Sequence, residues 1–240
     1  IGWAINVPPS KQQAFTFPVS QIRGKLQALG EAHPSLVDQL SDFVNTKNLP
    51  ASISHFYERT TDYRLFASVK WQLWFKPFAF IYQWISRRIQ QLNLPFNSDV
   101  EEMTGTIHLV DENIDKREKP RVWKRTIRDK TVFVAIYSKH TTDGKTYMNI
   151  ALPLPFSTMM GILTLKEQNG ALHLASKDAA DAGVYLSIGR YTLKLPLQEH
   201  FIIQQKGDTL IATHDMTIFG LHFLHIDYLI KPKINFDAEK

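Results

Sequence analysis

From about Met103 to Pro232 the chain is a succession of short β-branched and aromatic runs separated by glycine turns, with no segment of helical period among them. Strands are expected near 104–110, 122–127, 132–139, 147–154, 160–166, 171–176, 184–195, 200–205, 210–219 and 221–230. Asp143-Gly144, Asn169-Gly170 and Lys206-Gly207-Asp208 carry the residues that tolerate the positive φ of tight hairpins, so strands adjacent in sequence are expected to be adjacent in the sheet. A flat meander of this length leaves open edges that recruit other chains. Curling or closing the sheet removes them.

The first hundred residues read differently. Val7-Pro8-Pro9 and Phe17-Pro18 mark an extended lead-in. A short helix is expected over 20–29, ending at Gly30, and a second after Pro34, with Leu36, Val37, Leu40, Phe43 and Val44 as its apolar stripe. From Phe66 onward, Trp71, Trp74, Phe75, Phe78, Ile81, Tyr82, Ile85, Ile89 and Leu92 recur at helical spacing, with Pro77 as a kink or a helix start and Trp84 off the main stripe. The expected fold class is therefore α+β. It is a single domain over 1–240, mainly helical over 1–100 and antiparallel β over 101–235, with the N-terminal helices packed on a large curved β-meander, a barrel or half-barrel cup.

Composition narrows the functional classes. Residues are 44% hydrophobic and 12% aromatic, enough to fill a core and leave apolar surface for a ligand. The absence of cysteine rules out disulfides and thiolate metal sites. A net charge of +5 suits anionic partners, a lipid headgroup surface among them, and is equally common in proteins with no such partner. Residues 1–9 do not read as a secretory signal, and no run approaches the roughly 18 apolar residues of a membrane-spanning helix. Compartment is left open between cytoplasm and membrane periphery, as is the oligomeric state.

No motif specifies a reaction. There is no nucleophile elbow and no His-Glu-x-x-His helix, and Asp143-Gly144-Lys145-Thr146 lacks the upstream glycine of a phosphate loop and reads as a turn. No cofactor, metal or nucleic acid is expected: the basic run Arg121, Lys124, Arg125, Arg128 and Lys130 divides between two faces of one strand. The leading expectation is non-catalytic binding of a hydrophobic small molecule or lipid between the aromatic helix and the sheet. Trp71, Trp74, Phe78, Tyr82, Trp84, Met148, Ile150 and Leu152 are the expected lining, with Asn149 or Arg190 as the orienting polar group. In outline such a cup resembles lipid carriers and lipocalins, a likeness of architecture that assigns no residue a role.

Two alternatives stand beside it. One is an enzyme in the barrel mouth, in which Asp227 orients His225 as a general base with His222 or Glu199 assisting, since residues two apart on a strand share a face. The other is a docking domain that lays its basic aromatic helix on an anionic membrane surface.

Overall fold

The computed structural model describes residues 30–78, 99–112, 117–128, 130–154 and 157–233. Within them a single antiparallel sheet runs in chain order: β1 (Tyr63–Trp71), β2 (Glu101–Leu109), β3 (Glu118–Ile127), β4 (Lys130–Thr142), β5 (Lys145–Leu154), β6 (Ser157–Gln168), β7 (Ala171–Ala175), β8 (Gly183–Ile188), β9 (Tyr191–Lys194), β10 (Leu197–Lys206), β11 (Thr209–Ile218) and β12 (Leu221–Pro232). It closes on itself. β12 pairs with β1 and β5 pairs with β6, so ten of the strands form a barrel, while β8 and β9 branch off as a hairpin from β6. The outer edge of β6 is shared: Thr158–Ile162 pair with β8, and Thr164–Gln168 pair with β7, which carries the wall on to β10.

Alternation decides what faces inward. Along β1, Leu65, Ala67, Val69 and Trp71 join the interior cluster, as do Met148, Ile150 and Leu152 of β5 and Leu224, Ile226 and Ile230 of β12. Intervening residues carry charge outward, including a two-bond Arg64 to Glu102 pair at 2.7 Å and Lys70 to Asp227 at 2.7 Å. A second apolar cluster, with Val122, Ile136, Ala151, Met160 and Ile162, lies on the outside of β3 to β6 beneath Ala182 and Tyr185. Hairpin chemistry acts as expected: Asp143 and Gly144 take φ of 51° and 73°, and Asn169 and Gly170 take 54° and 75°, both primed turns.

Gly105 permits a large side chain inside. A Cβ there would sit 2.5 Å from Nε1 of Trp123 on the neighbouring strand, so the indole lies over bare backbone. Filling such a space typically costs about 1–3 kcal/mol in forced displacement.

Among the described residues the helices are small. The described α-helix, α1 (Ala51–Glu58), has eight residues and buries Ile53, Phe56 and Tyr57 against one end of the barrel. The helix expected after Pro34 is instead an extended crossing of that end with one 3-10 turn at Leu40–Asp42. The backbone donors of Leu36 and Val37 go to the carbonyl of Tyr57, and Arg121, pointing inward from β3, donates to the Ser35 carbonyl at 3.1 Å and to the Asp38 carboxylate. Those long-range partners outbid a local helix. The hydrogen bond from Lys119 first, then the Arg121 charge, hold the Asp38 carboxyl below the ordinary carboxylate range against the opposing effect of burial.

The aromatic segment is also corrected. Its start is β1, not helix, because nine residue pairs with β12, from Tyr63↔Pro232 to Trp71↔Leu224, satisfy its backbone. Leu73–Phe75 form a 3-10 turn at the barrel mouth, residues 76–78 are helical around Pro77 as expected, and 79–98 lie outside the described residues. The expected helix at 20–29 and the positions of Tyr82 and Trp84 lie outside the described residues. The long strand expected over 184–195 is two strands, broken at Gly189 with φ 56°.

Candidate functional site: the barrel lumen

Eight strands enclose an interior that side chains about fill, and two more widen it. Here a hollow of about 350 Å³ remains along the barrel axis. α1 and Leu36 close one end, and Trp71, Phe75 and Phe223 crowd the other, where Phe75 and Phe223 approach to 4.6 Å between ring centres. The wall is mostly aliphatic and aromatic. Of the residues expected to line a pocket, Trp71, Met148, Ile150 and Leu152 face this space.

The others do not. Trp74 and Phe78 are exposed on the rim, where the Trp74 indole donates to the carbonyl of His222 at 3.0 Å. Asn149 is buried on the opposite face of β5, where its side chain meets His140 at 2.9 Å, and His140 in turn meets Asp181 at 3.2 Å, tying down the loop before β8. Arg190 sits in the β8–β9 turn and reaches the Tyr191 hydroxyl at 3.0 Å. The polar groups that do enter the lumen include Tyr57, Arg125, Tyr137, Glu199, His214 and Tyr228.

Each has a local cause. On β3, Trp123 and Arg125 are two residues apart and share the inner face, so the guanidinium lies 3.6 Å from the indole centre and 4.7 Å from that of Phe133. Its Nη2 donates to the Tyr137 hydroxyl at 3.3 Å. Its Nε is buried with no hydrogen-bond partner. Across the lumen, Glu199 Oε2 stands 3.3 Å from His214 Nε2, close enough for charge to act but not aligned as a hydrogen bond, while His214 stacks on Phe201 at 3.6 Å. Gly161 makes room for that carboxylate, since a Cβ there would come within 2.8 Å of Glu199 Oε1. Burial pushes the Tyr137 and Tyr228 phenols up, with Arg125 opposing, so both stay protonated across the physiological range.

The chain resembles a known membrane protein. It is 40% identical to the "Uncharacterized membrane protein YndJ" of Bacillus subtilis (strain 168) over 254 aligned residues, covering 96% of this chain and 46% of that protein. It thus spans about half the length of the curated relative it matches. No family model and no solved structure matches.

The lumen is lined mostly by apolar side chains, whereas that of a membrane-spanning barrel is polar. No described helix is long and apolar enough to cross a bilayer. Apolar exposure gathers instead at the mouth: Leu73 is 79% exposed, Phe219 78% and Leu221 61%, and the β8–β9 tip adds Tyr191 at 62%. Phe219 holds φ at 49°, a left-handed conformation that is an outlier for a bulky residue.

Of the acid/base set expected at the mouth, His225 and Asp227 share a face and meet at 3.0 Å as expected, but Glu199 and His222 do not join them. His225 and Asp227 point outward from β12, Glu199 points inward, and His222 is exposed at the rim. On the outer wall His225 lies between Asp215 at 2.7 Å and Asp227 at 3.0 Å, and Asp227 is held in turn by Lys70. One strand further, His200 meets His173 at 3.1 Å. Among the described residues no cluster has the make-up of a metal site.

These two histidines titrate in opposite directions. Burial lowers the His225 pKa, but the hydrogen bonds and charges of Asp215 and Asp227 outweigh it and raise the value above 6.5. Burial first, then His173, push His200 below 6.5. His225 therefore adds stability that is complete below pH 6.5 and fades as pH rises through its folded pKa. His200 takes stability away as pH falls from 6.5 through its lower folded value. Histidine-resolved NMR titration is expected to place His225 above 6.5 and His200 below it. The reverse order would remove this account of the outer wall.

Proposed function

We propose that the lumen holds a hydrophobic small molecule or lipid without chemistry. The observation that supports this reading is the apolar hollow of about 350 Å³ inside the closed sheet, within the roughly 300–1,000 Å³ range of ligand pockets and fitted with a few polar groups. A void that size lined by hydrocarbon forfeits packing contacts, and a bound apolar molecule restores them. The expected outcome is that the protein binds the neutral fluorophore N-phenyl-1-naphthylamine, with emission enhanced as the probe leaves water. Ala212→Phe, which projects a ring from the β11 wall into the hollow, weakens binding by about tenfold or more while the far-ultraviolet circular dichroism spectrum is unchanged. Equal binding by the variant, or none by the parent protein, contradicts the reading.

The mouth supports a second reading, in which the barrel rests its apolar rim on an anionic bilayer surface. The exposed Leu73, Trp74, Phe78, Phe219 and Leu221 favour it, as does similarity to a protein whose name places it in a membrane. Sedimentation with phosphatidylglycerol-containing vesicles is expected, weakened by salt and abolished by the pair Leu73→Glu and Phe219→Glu. Vesicle binding that ignores those two changes would place the contact elsewhere.

A further inference from the structure

Hydrogen-bond donors collect at one level of an otherwise apolar lumen. Arg125 is held flat by Trp123 and Phe133, its Nε is buried without a partner, and among the described residues no carboxylate pairs with it. The Tyr137 oxygen already accepts from Arg125, so its own hydrogen is left to donate, and the Tyr228 phenol lies within reach of the same guanidinium. The acid that lines the lumen, Glu199, stands on the opposite wall, 3.3 Å from His214 and seated over Gly161. A guanidinium in hydrocarbon without a counter-charge is costly, and an arginine fork fits the two oxygens of a carboxylate in a planar, bidentate way. Glu199 across the lumen also raises the cost of a doubly charged group, which favours a monoanion over a phosphate dianion.

We infer that the ligand is a single-chain apolar molecule ending in a carboxylate, met by the Arg125 guanidinium with the Tyr137 and Tyr228 hydroxyls, its chain lying along Met148, Ile150 and Leu152. The inference rests on the lumen being a ligand site, and adds to it the identity of the headgroup. Arg125 and the tyrosines orient the molecule; they do not react with it.

The test compares two probes of equal chain, dodecanoate and dodecan-1-ol, by displacement of N-phenyl-1-naphthylamine at pH 8. The expected result is that the acid binds about tenfold or more tightly than the alcohol, that Arg125→Gln erases the difference while alcohol binding persists, and that Arg125→Lys recovers part of it, keeping charge without the fork. Tyr228→Phe is expected to weaken the acid several-fold and leave the alcohol unchanged, which tests the clamp even where Arg125 variants fold poorly. Equal affinity of the parent protein for both probes, or a preference that survives Arg125→Gln, overturns the headgroup assignment and leaves the lumen reading intact. Failure of both probes to displace the fluorophore from the parent protein overturns both.

Discussion

Barrel closure along β1 and β12 is the pairing from which the other features follow. Nine residue pairs across one seam place Leu65, Ala67, Val69 and Trp71 inside and Arg64 and Lys70 outside, and leave neither strand as an open edge. A slip by one residue would exchange the two sets and bring two cations into the lumen. The seam is not uniform. β1 pairs with β2 for only three residues, Leu65 to Ala67, after which β2 is met by the segment at 30–33 through Gly30, Glu31 and His33. That segment then turns across the barrel end, so closing the sheet and closing one end of the hollow are achieved by the same stretch of chain.

Two arginines on the inner face of β3 show how position divides the labour of one strand. Arg121 lies at the closed end and is engaged by Ser35 and Asp38, so it pins the plug. Arg125 lies a turn of the pleat deeper, between two aromatic rings and with donors to spare. The first is a structural cation whose desolvation is offset by its partners. Both leave a buried Nε without a hydrogen-bond partner, but among the described residues only the first is paired with a carboxylate, and that asymmetry distinguishes a site from a core.

Strands and turns were legible wherever a two-residue period met turn chemistry, as at Asp143-Gly144 and Asn169-Gly170. β1 was not, because Phe66, an outward residue covered by the Arg64 and Lys231 cations, blurs its alternation, and Trp71 at the end of the strand falls in helical register with Trp74, Phe75 and Phe78 of the turns that follow. Its partner lies more than 150 residues away, where no local pattern reaches. The same limit hid the plug, whose residues look helical until Arg121 and Tyr57 compete for them. Met148, Ile150 and Leu152 could be read as one face from parity alone, and parity equally placed Asn149 on the other. Arg125 was readable from the same rule, since it shares a face with Trp123. What the sequence could not supply was which face of β3 looks inward, a matter settled by closure.

The central claim is a closed barrel with an apolar hollow at its centre. Diffraction from crystals of ligand-stripped protein under xenon pressure tests it most directly, because xenon occupies dry apolar cavities and little else. The account predicts xenon density in the lumen among Ile150, Leu174 and Ile226, within a continuous wall of hydrogen-bonded strands. A collapsed interior with no xenon there, or a sheet left open between β1 and β12, would contradict it.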